Sequence, residues 1–195
     1  MSAAAHDPPL SIDWVPASDF ADGRPGSLGM TVLPGKHGAS QRYPGRVYRA
    51  DLGADLRALR LAGVDRLLLL VDDDELARWS DGAIVERAAE AGIRIERYPM
   101  PDGSPPASPA AMDAILRSLA SARSCSNAAV ACMGGVGRTG TVAACALVLA
   151  GWGPDAAIAR VRDVRHPTAV ETPSQQEFVR TYWIGCRPGP AKVSP

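Results

Sequence analysis

The stretch Val130-Ala131-Cys132-Met133-Gly134-Gly135-Val136-Gly137-Arg138-Thr139-Gly140 decides how this 195-residue chain is read. Cys132 and Arg138 bracket five residues, three of them glycine, with an apolar strand-like run over 128–131 before and a helical run over 141–150 after. Glycine lets the backbone turn tightly enough for successive N–H groups to converge on one centre, an anion-binding nest. The helix that follows turns its positive N-terminal end to the same centre. Arg138 adds a planar fork for two phosphate oxygens. Such a field favours the thiolate of Cys132, the reactive form of the side chain. The pattern predicts attack of sulfur on phosphorus, with Met133, Gly134, Gly135, Val136, Gly137 and Arg138 holding the phosphate. A plainer reading makes Cys132 a small buried hydrophobe and the glycines a tight strand-to-helix turn. The three glycines, the Thr139-Gly140 pair and the flanking elements together favour the phosphate site.

Outward from this loop the chain alternates strands and helices. Residues 67–71 are continuously apolar between charges, the pattern of a strand buried on both faces. Short helices are predicted over 54–62 and 81–91, each stopped by glycine, and a strand over 93–97. Ser108-Pro109 is an N-cap followed by proline in the first turn, opening a helix with Met112, Ile115, Leu116 and Leu119 on one face. Further helices open at Gly153-Pro154 and Thr172-Pro173. The alternation predicts an α/β fold, a central mostly parallel sheet with helices on both faces and the phosphate loop between a strand and a buried helix. Residues 1–29, rich in Pro, Gly and Ser, read as an irregular N-terminal arm. Residues 30–186 form one domain, and 187–195, with three prolines, read as a disordered tail.

Composition excludes several classes of function. Lys plus Arg (21) balance Asp plus Glu (21), so no global field recruits nucleic acid or an anionic membrane. No apolar run approaches a membrane span, and residues 1–9 lack the pattern of a signal peptide. Cys125, Cys132, Cys145 and Cys186 lack metal-ligand spacing and read as a reduced, cytoplasmic set. Heavy use of Ala, Arg and Gly hints at a bacterial source. Asp72-Asp73-Asp74-Glu75 reads as a solvated helix start, not a metal site. His6, His37 and His166 are scattered, and Trp152 and Trp183 read as packing residues. No metal or cofactor is implied.

At the loop the chain resembles the cysteine-dependent protein phosphatases, whose pattern is His-Cys-x5-Arg-Ser/Thr-Gly. It is most similar to the dual-specificity branch and its bacterial relatives of the cyclin-dependent-kinase-inhibitor-3 type. Tyr98-Pro99-Met100-Pro101-Asp102-Gly103-Ser104 resembles the family's general-acid loop, and residues 169–176 resemble the segment carrying a water-positioning glutamine. Leu33-Pro34-Gly35-Lys36 and residues 47–52 are similar to weaker N-terminal blocks. The resemblance implies a phosphomonoester hydrolase working through a phosphocysteine on Cys132, with Asp102 as the acid. General-acid work requires a carboxyl within reach of the leaving oxygen, and a Pro- and Gly-rich loop could carry it there. Thr139 would donate its hydroxyl to the thiolate, besides any role as a helix cap. Gln175, or the adjacent Gln176, would position water, while Glu171 stands where many relatives carry glutamine and receives no role.

Ala131 replaces the histidine that orders the loop and helps hold the thiolate in the family, which implies a slower or more alkaline enzyme. The uncharged loop residues Met133 to Val136 favour a phosphoprotein or phosphopeptide over a multiply charged substrate, with phosphotyrosine and phosphoserine or phosphothreonine both admissible. The alternatives are a phosphoprotein-binding module weakened by Ala131 and a phosphatase of small esters. A disulfide from Cys125 or Cys145 to an oxidised Cys132 stays open, as does the oligomeric state.

Overall fold

The computed structural model describes residues 6–186. Five strands form the main sheet: β1 (Asp13–Val15), β2 (Leu28–Val32), β5 (Val64–Leu69), β6 (Arg94–Arg97) and β7 (Asn127–Cys132). Their order is β1-β2-β7-β5-β6. All neighbours are parallel except β1, which runs antiparallel to β2. Strand β7 is therefore central, and its carboxyl end lies between two parallel neighbours, where open α/β sheets place their sites. A hairpin of β3 (His37–Ala39) and β4 (Val47–Arg49) stands apart as a second sheet.

Seven α-helices cover the two faces. On one face lie α1 (Leu52–Leu61), α2 (Asp73–Trp79) and α3 (Ile84–Glu90). On the other lie α4 (Pro109–Arg123), α5 (Gly137–Leu149), α6 (Pro154–Val164) and α7 (Pro173–Cys186). Alternation along the central strands divides the core. Leu68, Leu70, Ala128, Val130 and Cys132 join the α4–α7 layer, and Leu67, Leu69, Val71, Ala129 and Ala131 join the α1–α3 layer. Cys132 and Ala131 thus face opposite layers.

Helix starts follow local chemistry. Asp51 accepts from Ala54 N–H to cap α1, and Ser108 accepts from Ala111 N–H ahead of Pro109 to cap α4. Asp72 and Glu75 form a reciprocal capping box on α2, so the acidic tract does begin a helix. Trp152 and Trp183 pack against the core as expected.

The irregular arm predicted over 1–29 needs correction. Asp13–Val15 pairs antiparallel with Leu28–Val32 in the register Val15 to Leu28, and both of those residues are fully buried. A three-residue strand and a glycine-interrupted partner carry too little periodicity to stand out among Pro and Gly. The helix predicted over 81–91 is α3, three residues shorter at its start and one at its end, and α2 precedes it as a separate helix across Ser80 to Ala83. The tail over 187–195 lies outside the described residues. No described helix is long and apolar enough to cross a membrane.

Candidate active site

Cys132 is the last residue of β7, 3% exposed, and α5 begins five residues later. Unlike α1, α2 and α4, helix α5 has no side-chain cap on its first N–H groups. Those donors are left to an anion. Arg165 holds the loop from behind: its Nε donates to Gly135 O at 2.8 Å, its Nη2 to Gly134 O at 3.1 Å, and its Nη1 pairs with Asp13 at 2.5 Å. In a trans peptide N–H and C=O point opposite ways, so the N–H groups of Gly135 and Val136 face away from Arg165. Gly135 is required here: its φ is +67°, and a Cβ would lie 2.3 Å from the Thr31 carbonyl oxygen.

Arg138 is 1% exposed and lies under the loop. Its Nη1 and Nη2 grip Glu75 bidentately at 2.5 and 2.7 Å, and Nη1 also donates to Met100 O at 2.9 Å. Burial works against its charge, but Glu75 and the other anionic neighbours more than offset it and raise its proton affinity. The same Glu75 carboxylate accepts from Asp72 N–H at 3.2 Å, so the start of α2 fixes the fork. Sequence reading left Glu75 in a solvated tract. Its partner is 63 residues away, and no local pattern marks it.

Asp102 reaches the same guanidinium, 2.9 Å from Nη2, while its side chain stays 81% exposed. The acid loop is tied to the start of α7: Thr172 Oγ1 donates to Gly103 O at 2.8 Å and Gln175 Nε2 to Ser104 O at 3.4 Å. The sequence-predicted Cys132, Arg138, Asp102 and loop residues Met133, Gly134, Val136 and Gly137 thus line one cleft or lie beneath it. The cleft encloses about 950 Å³.

Three expectations change. Thr139 does not reach the Cys132 sulfur; its Oγ1 is buried without a hydrogen-bond partner. Gln175 is fully buried and committed to Ser104 and Thr172, although its amide lies 3.2 Å from where a Cβ on Gly137 would stand. Gln176 bonds the carbonyl of Val170. Glu171, given no role, comes closer to the loop: its Oε2 lies 2.5 Å from that same Gly137 Cβ position, and its Oε1 pairs with Arg42 at 2.6 Å. Val170 beside it holds a φ of +60°, a strained value for a β-branched residue that costs about 1–3 kcal/mol. All four cysteines are free thiols, and burial pushes that of Cys145 well up, away from reactivity. No group of three or more metal-ligating side chains occurs among the described residues.

A thiol at the carboxyl end of a central parallel strand, a glycine loop with unsatisfied N–H groups and an arginine fixed beneath it define the class of cysteine-based phosphatases. Within that class, the chain belongs to the family described as Swiss Army Knife protein, DSP-PTPase phosphatase domain, whose model matches residues 45–182. The rat cyclin-dependent kinase inhibitor 3 is 26% identical over 177 residues, covering 89% of this chain and 79% of that one. The solved kinase associated phosphatase, with its catalytic-site cysteine substituted by serine, superposes with a TM-score of 0.78 at 23% identity, over 91% of this chain and 96% of that one. Tk-PTP in its active form superposes with a TM-score of 0.64 at 26% identity, over 85% and 95% of the two chains.

Proposed function

We propose that the chain hydrolyses phosphomonoesters on phosphoprotein substrates, phosphotyrosine and phosphoserine or phosphothreonine alike, with Cys132 as nucleophile. One observation carries the reading. Two consecutive residues at the start of α5 hold buried donors with no partner, Arg138 Nε–H and Thr139 Oγ1–H. An unsatisfied buried donor costs about 1–3 kcal/mol, and a bound phosphate would supply a missing acceptor at the start of α5.

In the first step the Cys132 sulfur attacks phosphorus, the S–P bond forms and the P–O bond to the leaving group breaks. Arg138 and the loop N–H groups from Met133 to Arg138 hold the three equatorial oxygens, worth about 3–4 kcal/mol per well-aimed donor in such sites. Phosphate takes Arg138 from Asp102, and the freed carboxyl, in its protonated form, gives its proton to the leaving oxygen and becomes a carboxylate. In the second step water attacks phosphorus and gives a proton to the Asp102 carboxylate, the S–P bond breaks with its electron pair returning to the Cys132 sulfur, and inorganic phosphate leaves. Gln175 packs behind Gly137, and Glu171 faces the loop with Arg42 fixing its carboxylate. Glu171 suits the guidance of that water as the site stands, and Gln175 would do so once its amide is released from Ser104 and Thr172. The β3–β4 hairpin supplies Arg42, Tyr43, Arg46 and Tyr48 to the cleft wall, a surface for the polypeptide around the phosphate. The free thiols agree with a reducing, cytoplasmic setting.

Turnover of p-nitrophenyl phosphate and of a phosphotyrosine peptide by the wild type, Cys132→Ser and Asp102→Asn tests the reading. Cys132→Ser is expected to abolish both activities. Asp102→Asn is expected to lose on the order of 100-fold on the peptide and less on p-nitrophenyl phosphate, whose leaving group needs little acid help. An inert wild type that still binds vanadate would make the chain a phosphate-binding module instead.

A further inference from the structure

Ala131 leaves two jobs at the loop undone. In the family that the loop resembles, a histidine in this position orders the loop and helps hold the thiolate; the methyl group here is fully buried in the apolar α1–α3 layer. Lys36 reaches the loop from another direction. It follows β2 after Gly35, whose φ of +68° turns the chain. Its Nζ donates to the carbonyl of Met133 at 3.1 Å, the residue next to Cys132. The ammonium sits 3.9 Å from the centre of the Tyr48 ring, and Lys36 as a whole is 9% exposed.

Several charges of the cleft are paired with one another. Glu75 and Asp102 face Arg138, Asp13 faces Arg165, and Glu171 faces Arg42. Lys36 makes no ion pair among the described residues, and Arg46, a like charge, shares its Tyr48 ring at 5.0 Å. Burial lowers the proton affinity of Lys36, while Tyr48 and the Cys132 sulfur act to raise it. A nearly buried ammonium without a carboxylate is costly unless another anion is present. The Cys132 sulfur, once ionised, is an anion within its electrostatic reach.

We propose that Lys36 is a positioning residue that replaces the missing histidine: it fixes the first carbonyl of the phosphate loop and supplies positive charge to the ionised Cys132. The inference rests on that part of the proposed function which makes Cys132 the ionised thiol of the phosphate loop.

The test is the pH dependence of Cys132 alkylation by iodoacetamide, mapped by peptide mass, in the wild type, Lys36→Met, Lys36→Gln and Lys36→Arg. Thermal melts establish that each variant is folded. Lys36→Gln keeps a donor for Met133, and Lys36→Met does not, so the pair separates hydrogen bond from charge. Both are expected to move the midpoint of the profile up by about one pH unit, and Lys36→Arg is expected to bring it back to within a few tenths. An unchanged midpoint in Lys36→Met and Lys36→Gln would overturn the proposal. A shift in Lys36→Met alone would overturn it as well, leaving only a hydrogen bond. Alkylation is read without substrate. A chain that shows the shift yet fails to turn over phosphate esters therefore loses the phosphatase reading and keeps this one.

Discussion

Replacing Glu75 by alanine strikes the site at the point that sequence concealed. The change removes two charge-assisted hydrogen bonds of 2.5 and 2.7 Å and leaves Arg138, 1% exposed, with the Met100 carbonyl and the exposed Asp102. Breaking a buried pair by removing one partner costs roughly 3–5 kcal/mol, and the lower figure applies because Glu75 retains some contact with water. For a chain of this size about 3 kcal/mol corresponds to a Tm lower by roughly 6–12 °C. Arg138 also loses its aim, and one misdirected transition-state donor is worth about 100-fold or more in kcat/KM. Glu75→Gln keeps the length and one acceptor oxygen, so about half the loss in Tm and a smaller loss in rate are expected. Thermal melts and p-nitrophenyl phosphate kinetics read both effects. A Glu75→Ala protein that melts within about 2 °C of the wild type and keeps kcat/KM within about threefold would refute the assignment of Glu75 to the arginine.

Three further outcomes follow from particular contacts. Gly135→Ala puts a Cβ 2.3 Å from the Thr31 carbonyl oxygen at a φ of +67°, so vanadate affinity measured by calorimetry is expected to fall by more than about tenfold. Ala131→His forces an imidazole into a fully buried apolar layer; the melt is expected to drop by the equivalent of about 1–3 kcal/mol of overpacking, rather than the enzyme gaining a working histidine. Burial pushes the Glu96 carboxyl up, yet hydrogen bonds from Ser118 and Tyr98 together with Arg66 and Arg94 hold it below its ordinary value. A depressed carboxylate stabilises the fold above its unfolded pKa and loses that contribution as pH falls through the folded one. Glu96→Gln is therefore expected to lower the Tm at pH 7 and to have little effect near pH 3.

The catalytic strand, loop and helix were legible because their signal is local: an apolar run, three glycines and Cys132 and Arg138 at fixed spacing. The turn that carries Asp102 directly after a strand is local too, but its role as the acid comes from the family resemblance and not from that pattern. What stayed hidden depends on distance along the chain. Glu75 meets Arg138 across 63 residues, Lys36 meets Met133 across 97, and Arg165 meets Gly135 across 30. Each reads in sequence as an ordinary charged side chain. The sheet edge was hidden differently: β1 has three residues and β2 contains Gly29, so their pairing rests on tertiary burial rather than on propensity. Thr139 was placed on the thiolate by analogy, and its hydroxyl is instead unpartnered.

Mixing the wild type with p-nitrophenyl phosphate, quenching in acid within the first turnover and mapping the phosphorylated peptide addresses the role of Cys132 most directly. A phosphate on the peptide containing Cys132, absent from Cys132→Ser, is the expected result. Turnover that survives in Cys132→Ser, or a phosphate found on another residue, would contradict it.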